Sequence, residues 1–304
     1  MVREDIRSLK EKVAARRGIL LPGAPNALTA RIIADQGFEV VYLTGAGLTN
    51  TQLGLPDLGF IDLSQLVEHT TAIRNVTELP IIVDADTGFG NALNVAHTVA
   101  MLERAGASAI QLEDQRAPKR CGHFDGKEII PIGEAVAKIR AAADARRQGV
   151  LIIARTDARA PEGFDAAIDR AGRYIEAGAD MTFVEAPQSL AEIERIPKLL
   201  DAPQLLNMVL GGKTPILGRA QAQQMGFGLV LYANAALHGA ILGMQTALRA
   251  LHEYGQLDEN SGLVASFAER QRLVGKPEFD AMERKYAVAI PGGYAERAAA
   301  RMSG

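Results

Sequence analysis

The residues best suited to chemistry in this 304-residue chain are acids placed directly after short apolar runs. Asp84 and Asp86 follow Ile81-Ile82-Val83, Glu113 follows Ile110-Gln111-Leu112, and Glu185 follows Thr182-Phe183-Val184. Asp57 lies on a nearby loop, Arg155 ends the run at Val150–Ala154, and Asn207 ends the run at Gln204–Leu206. Carboxylates brought to one place repel each other strongly, and a bound divalent cation relieves the conflict. Asp84, Asp86, Asp57 and Glu113 offer oxygen donors only, a set that suits Mg²⁺ or Mn²⁺ rather than zinc. Asp-x-Asp could instead cap a helix starting near Asn91, because Asp is a common cap residue. The acids at matching positions after other runs favour the metal.

A second group is Lys119-Arg120-Cys121-Gly122-His123, in a stretch rich in Pro, Gly and charge that reads as a loop. A lone cysteine is most often a small buried hydrophobe. Basic neighbours such as Lys119 and His123 favour the thiolate and raise reactivity, which makes Cys121 a catalytic candidate. A third feature is Gly45-Ala46-Gly47, read as a turn whose backbone N–H groups could bind a carboxylate or phosphate oxygen. Dinucleotide and P-loop patterns both fail, at Asn50 and Asn207 respectively. His69, His97 and His252 sit in helical patterns, and His238 follows the last apolar run.

The elements that must position these groups alternate regularly. β-rich runs occur at Gly18–Leu21, Glu39–Leu43, Pro80–Val83, Ala109–Leu112, Val150–Ala154, Met181–Val184, Gln204–Leu206 and Gly228–Tyr232. Between them, segments such as Asn91–Ala105, Ile132–Arg147 and Phe164–Ala177 space their apolar residues at the helical period. Gly37, Gly106, Gly149 and Gly178 suit helix C-caps. Eight strands with helical crossovers predict an α/β fold, a (β/α)8 TIM barrel, whose active site lies at the C-terminal strand ends. The barrel is expected over about 17–255, within a single domain, with a helical extension over about 256–304.

Composition sets the outer limits. Hydrophobic residues make up 48% and charged residues 23%, as in an ordinary globular protein. A net charge of −3, with basic residues scattered, argues against nucleic acid and anionic membrane as partners. One cysteine excludes an internal disulfide and fits a reducing, cytoplasmic setting. The N-terminus has no apolar core of a secretory signal, and the stretch Gly228–Met244 is too interrupted for a membrane span.

Several motifs together resemble the isocitrate lyase and phosphoenolpyruvate mutase superfamily, over essentially the whole chain. They are Pro118-Lys-Arg-Cys-Gly-His123, Tyr42-Leu-Thr-Gly-Ala-Gly47, Leu53-Gly-Leu-Pro-Asp-Leu-Gly59, Asp84-Ala-Asp-Thr-Gly-Phe-Gly90 and Ala154-Arg-Thr-Asp157. The cysteine loop is similar to that of the carbon–carbon lyases acting on 2,3-dimethylmalate or 2-methylisocitrate. The resemblance implies Mg²⁺ or Mn²⁺ held directly by Asp84, with Asp86, Asp57 and Glu113 acting through water. It also implies that Thr44, Gly45 and Ala46 grip the α-keto-acid end of a 2-hydroxydicarboxylate, beside Arg155, Glu185 and Asn207. Cys121 on a mobile 116–127 loop would be the general acid, and Tyr42 or a metal-bound water the base. A homotetramer exchanging C-terminal helices is implied as well. Phe124 stands where methylisocitrate lyases usually carry Arg, and Leu210 where many relatives carry Glu. Both departures favour a smaller or more apolar substrate, such as an alkyl-substituted malate. Oxaloacetate hydrolysis or decarboxylation, and phosphonopyruvate P–C chemistry, are alternatives on the same scaffold. An inactive keto-acid-binding barrel is an alternative of another class.

Overall fold

Eight short strands form the centre of the computed structural model, which describes residues 2–120, 122 and 126–287. They are β1 Ile19–Ala24, β2 Val41–Leu43, β3 Ile81–Asp84, β4 Ala109–Glu113, β5 Leu151–Thr156, β6 Met181–Val184, β7 Leu205–Asn207 and β8 Leu229–Tyr232. Each pairs in parallel with its neighbours, in the order β6-β5-β4-β3-β2-β1-β8-β7. A single parallel bridge, Thr182 to Gln204, joins β6 to β7 and nearly closes the barrel. All eight predicted runs are therefore strands, and the (β/α)8 architecture holds.

The crossovers are α2 Ala27–Asp35, α4 Leu63–Arg74, α5 Ala92–Ala105, α6 Ile132–Ala145, α7 Phe164–Glu176, α8 Leu190–Leu199 and α9 Arg219–Met225. A short helix, α3 Gly45–Leu53, leaves the end of β2. Helix ends follow local chemistry. Asn91 begins α5 through a capping box with Asn94, so neither Asp84 nor Asp86 is the cap of that helix. Gly106 is the left-handed C-cap of α5. Gly149 also has positive φ but lies beyond the end of α6, so it shapes a turn rather than a cap.

Strand side chains alternate between the two faces of the sheet. One set fills the barrel interior: Ile19, Leu21, Tyr42, Ile82, Ala109, Leu151, Ile153, Met181, Phe183, Leu205, Leu229 and Leu231. The intervening set, including Val41, Val83, Ile110, Leu112 and Ala154, packs outward against the helices. Helix α1, Glu4–Ala14, supplies Leu9 and Val13 to the interior cluster and so plugs the barrel floor.

The chain divides into two compact units, Met1–Arg249 and Ala250–Gly304, and the division falls within α10, Ala235–Tyr254. The described part of the second unit contains α11 Phe267–Leu273 and α12 Lys276–Tyr286. These helices expose Phe267, Phe279, Met282 and Tyr286. Among the described residues, no helix is long and apolar enough to cross a membrane.

Candidate active site

The inward set that forms the core changes character at the C-terminal strand ends. One step beyond Ile82, Ile153, Phe183 and Leu205 come Asp84, Arg155, Glu185 and Asn207, while Gln111 and Glu113 continue the inward face of β4. A pocket at this end is lined by Tyr42, Thr44, Ala46, Asp57, Asp84, Lys119, Arg155, Glu185 and Asn207. Phe183, Val209, Leu231 and Ala233 give it an apolar side. Asp86 and Glu113 are buried close by. A Cβ on Gly45 would stand 3.3 Å from Asp86 Oδ1 and 3.5 Å from Asp84 Oδ2, so both carboxylates face the start of α3. The partial positive charge of that helix end favours them there.

The predicted Gly45-Ala46-Gly47 turn is in fact the first turn of α3. Thr44 is its N-cap, and its hydroxyl accepts a hydrogen bond from Gly47 N at 3.2 Å. The amides of Gly45 and Ala46 belong to a helix N-terminus, a stronger anion-binding arrangement than an isolated turn.

Lys119 stands among the acids, with its ammonium paired to Asp57 and lying 2.8 Å from Asp86 Oδ1. Burial pushes the Asp86 carboxyl up to about 7, aided by Asp84 and Asp57 and opposed by Lys119. Burial likewise pushes Glu113 well above the usual range, with Asp157 and Asp86 adding to it. Burial works against the charge on Lys119, but Asp86, Glu113, Asp57 and Asp84 outweigh it and hold the ammonium protonated. Asp86 also carries positive φ, +47°, a backbone strain that persists where surroundings impose it.

Arg155 is the other buried cation. It lies 3.1 Å from Glu113 Oε2 and 3.7 Å from Glu185 Oε2, and it stacks over the Phe183 ring at 5.2 Å. It also donates to both oxygens of Asp157, at 2.9 and 3.1 Å. Asn207 Nδ2 donates to Glu185 Oε2 at 3.3 Å. Tyr42 donates its hydroxyl to Gln111 Oε1 at 3.0 Å, and Gln111 Nε2 donates to Asp84 Oδ1 at 3.2 Å. Burial, reinforced by Asp84, raises the Tyr42 pKa well above its ordinary value. A hydroxyl held this firmly protonated is a poor proton acceptor, which weighs against Tyr42 of the two candidate bases, Tyr42 and a metal-bound water.

Every predicted site residue among those described, Tyr42, Thr44, Gly45, Ala46, Asp57, Asp84, Asp86, Glu113, Lys119, Arg155, Glu185 and Asn207, falls in or against this pocket. Cys121, His123 and Phe124 lie outside the described residues. His238 is exposed on α10, and Leu210 is 50% exposed, with its neighbour Val209 on the pocket wall instead. Gln111 and Asp157 went unpredicted, although each sits two residues from a predicted site residue on the same strand or just past its end. Lys127, which reaches Asp157 at 2.8 Å, gives no comparable signal in the sequence.

The sequence matches the phosphoenolpyruvate phosphomutase family over residues 7–252. The chain belongs to the phosphoenolpyruvate mutase/isocitrate lyase superfamily. A 2,3-dimethylmalate lyase of Eubacterium barkeri is 39% identical over 280 residues, 92% of this chain and 97% of that protein. A 2-methylisocitrate lyase of Aeropyrum pernix is 43% identical over 272 residues, 90% of this chain and 88% of that one. A crystal structure of 2,3-dimethylmalate lyase superposes with a TM-score of 0.88 at 32% identity, covering 96% and 99% of the two chains. A phosphonopyruvate hydrolase solved with oxalate and Mg²⁺ gives 0.83 at 30% identity, covering 94% and 99%.

Within this superfamily member the donor set can be tested against a metal. Asp57, Asp84, Asp86 and Glu113 offer oxygen only, and Glu113 Oε1 is buried without a hydrogen-bond partner. Among the described residues, no three His, Cys, Asp or Glu side chains close into a group able to hold a metal ion. The Lys119 ammonium supplies the positive charge between Asp57 and Asp86. Donor chemistry, the demand for positive charge and the unpartnered Glu113 oxygen all fit a hard divalent cation.

Proposed function

We propose that this chain is a divalent-metal-dependent carbon–carbon lyase that cleaves a 2-hydroxydicarboxylate into an α-keto acid and a carboxylic acid. The substrate class is that of 2,3-dimethylmalate or 2-methylisocitrate. The observation that carries the reading is the crowding of Asp57, Asp84, Asp86 and Glu113 around one pocket that also holds a helix N-terminus and a buried arginine.

Asp84, Asp86, Asp57 and Glu113 would hold Mg²⁺ or Mn²⁺, which when bound supplies positive charge for the substrate's carboxylate and 2-oxygen. Thr44 and the amides of Gly45 and Ala46 orient the keto-acid carboxylate at the start of α3. Arg155, Glu185 and Asn207 face the remaining oxygens. The apolar side formed by Phe183, Val209, Leu231 and Ala233 accommodates alkyl substituents, which supports an alkylated malate. In the reaction, the substrate hydroxyl loses its proton as the bond between the carbinol carbon and its neighbour breaks. The bonding electrons pass to the neighbouring carbon and its carboxylate, and Cys121, with Lys119 and His123 beside it in sequence, returns a proton to that carbon.

In this reading the protein works in the cytoplasm as a homotetramer assembled through its C-terminal helices. The exposed Leu242, Met244 and Leu248 of α10 support that assembly. A panel of 2-hydroxydicarboxylates, oxaloacetate and phosphonopyruvate, assayed with Mg²⁺ for keto-acid release through a coupled dehydrogenase, tests the function. Turnover of an alkyl-substituted malate, lost with EDTA and restored by Mg²⁺, is expected. Turnover confined to oxaloacetate or phosphonopyruvate would overturn the lyase assignment, and activity surviving exhaustive chelation would overturn the metal.

A further inference from the structure

The segment between β4 and α6 is tied to the barrel at points that serve different purposes. Its neck is an antiparallel bridge between Gln115 and Ile129, continued by Arg116 N donating to Glu128 O at 2.8 Å. Just inside the neck, the Gln115 side chain holds Arg120 twice, donating to its carbonyl at 2.8 Å and accepting from its amide at 3.0 Å. These contacts shape the base of the loop and touch no pocket acid.

Gly122 is placed differently. A Cβ there would stand 2.3 Å from Arg155 Nη2 and 2.7 Å from Glu185 Cγ, so the loop backbone rests directly on two pocket side chains. Only glycine permits that approach. The Gly122 carbonyl accepts a hydrogen bond from Lys127 Nζ, and the same ammonium donates to Asp157 Oδ1 at 2.8 Å. Asp157 is fully buried, and its two oxygens are also the acceptors for Arg155. One carboxylate thus fixes the guanidinium and, through Lys127, the backbone resting on that guanidinium.

A buried lysine is costly to desolvate unless it is well paired. Here the ammonium does more than neutralise Asp157, because one of its donors goes to the loop. We infer that Lys127 is a positioning residue of the reaction: with Asp157 it seats Gly122 against Arg155, registering the cysteine-bearing loop to the pocket. Gly122 is next in sequence to Cys121, the proton donor of the proposed function, so under that reading a displaced Gly122 carries the acid with it. Small misplacements of a reacting group lower rate steeply. The keto-acid end is read as binding at α3, away from this tie, and Arg155 keeps its own pairs to Asp157, Glu113 and Glu185 when Lys127 is replaced, so substrate affinity depends on the tie much less.

The rate measurement rests on the lyase reading, whereas hydrogen exchange does not. Lys127→Met is expected to lower kcat ten- to a hundredfold with KM within about threefold of wild type. Lys127→Arg, which keeps a charged donor, should recover most of the loss. In hydrogen exchange without substrate, Lys127→Met should expose amides of the 115–130 segment while β5 and β6 keep their protection. If Lys127→Met fails to fold, Lys127→Gln carries the same expectations. A kcat within twofold of wild type overturns the assignment, as does exchange that rises equally in the barrel strands, the mark of a purely structural pair. If the wild type cleaves no substrate, the lyase reading falls, and unchanged exchange in the 115–130 segment still overturns the role of Lys127.

Discussion

At the floor of the barrel, Asp5 on α1 accepts from Arg3 Nη2 at 2.9 Å and from the Ser108 hydroxyl at 2.5 Å, with Arg74 at 3.6 Å. At the mouth, Asp86 and Glu113 are buried among other acids, with Lys119 and Arg155 as the cations beside them. Burial raises the carboxyl pKa at both ends. At the floor the hydrogen bonds and charges of Arg3, Ser108 and Arg74 outweigh it, so Asp5 is held below its ordinary value. At the mouth burial and like charge win, and Asp86 and Glu113 are pushed up. The floor therefore uses charge to hold α1 against the strands. The mouth holds carboxyl groups whose ionised form the fold itself disfavours, the usual condition of a functional site.

The sharpest test of that contrast is Glu113→Gln. With its carboxyl already pushed toward the protonated form, Glu113 has a neutral isostere in Gln, so the melting temperature should hold or rise. The lyase rate should nevertheless fall at least ~100-fold, about 2.7 kcal/mol of transition-state stabilisation. A rate within threefold of wild type, or a clear loss of stability, would erase the distinction between mouth and floor.

The opposite pattern is expected at Glu103, buried near the start of β5. Its carboxylate accepts from the amides of Arg147 at 3.0 Å, Gln148 at 2.8 Å and Val150 at 3.3 Å. Gln in its place keeps the shape but weakens these charge-assisted bonds, at a cost of about 1–2 kcal/mol. Thermal unfolding should register a drop of a few degrees while kcat stays within twofold of wild type. Loss of activity without loss of stability would place Glu103 in the functional network instead.

The same division governs how much could be read from sequence. Strand positions were legible because buried parallel strands are apolar runs, and the site was legible because polar residues interrupt those runs at one end. Asp84, Glu113, Arg155, Glu185 and Asn207 follow from that rule. Asp157 and Gln111 were within reach of it, being two residues from Arg155 and Glu113. Lys127 was not, because its partner lies thirty residues away and a lysine in a polar loop looks solvated. The role of α1 was hidden for a related reason: Leu9 and Val13 are few among many charges, and only the open floor of the barrel explains them.

Asp5 gives the smallest effect and the clearest sign. Its folded pKa lies below the ordinary 3.8, so its contacts stabilise the fold at pH values above that point. The contribution fades as pH falls through the depressed folded value, where both folded and unfolded states carry the proton. Because Asp5 is only partly buried, solvent screening keeps the gain below ~1 kcal/mol. Asp5→Asn should therefore melt slightly earlier than wild type at pH 7, with the gap closing in acid below pH 3.8. A gap that widens in acid would mean Asp5 behaves like the mouth carboxylates, and the contrast between the two ends of the barrel would fail at its floor.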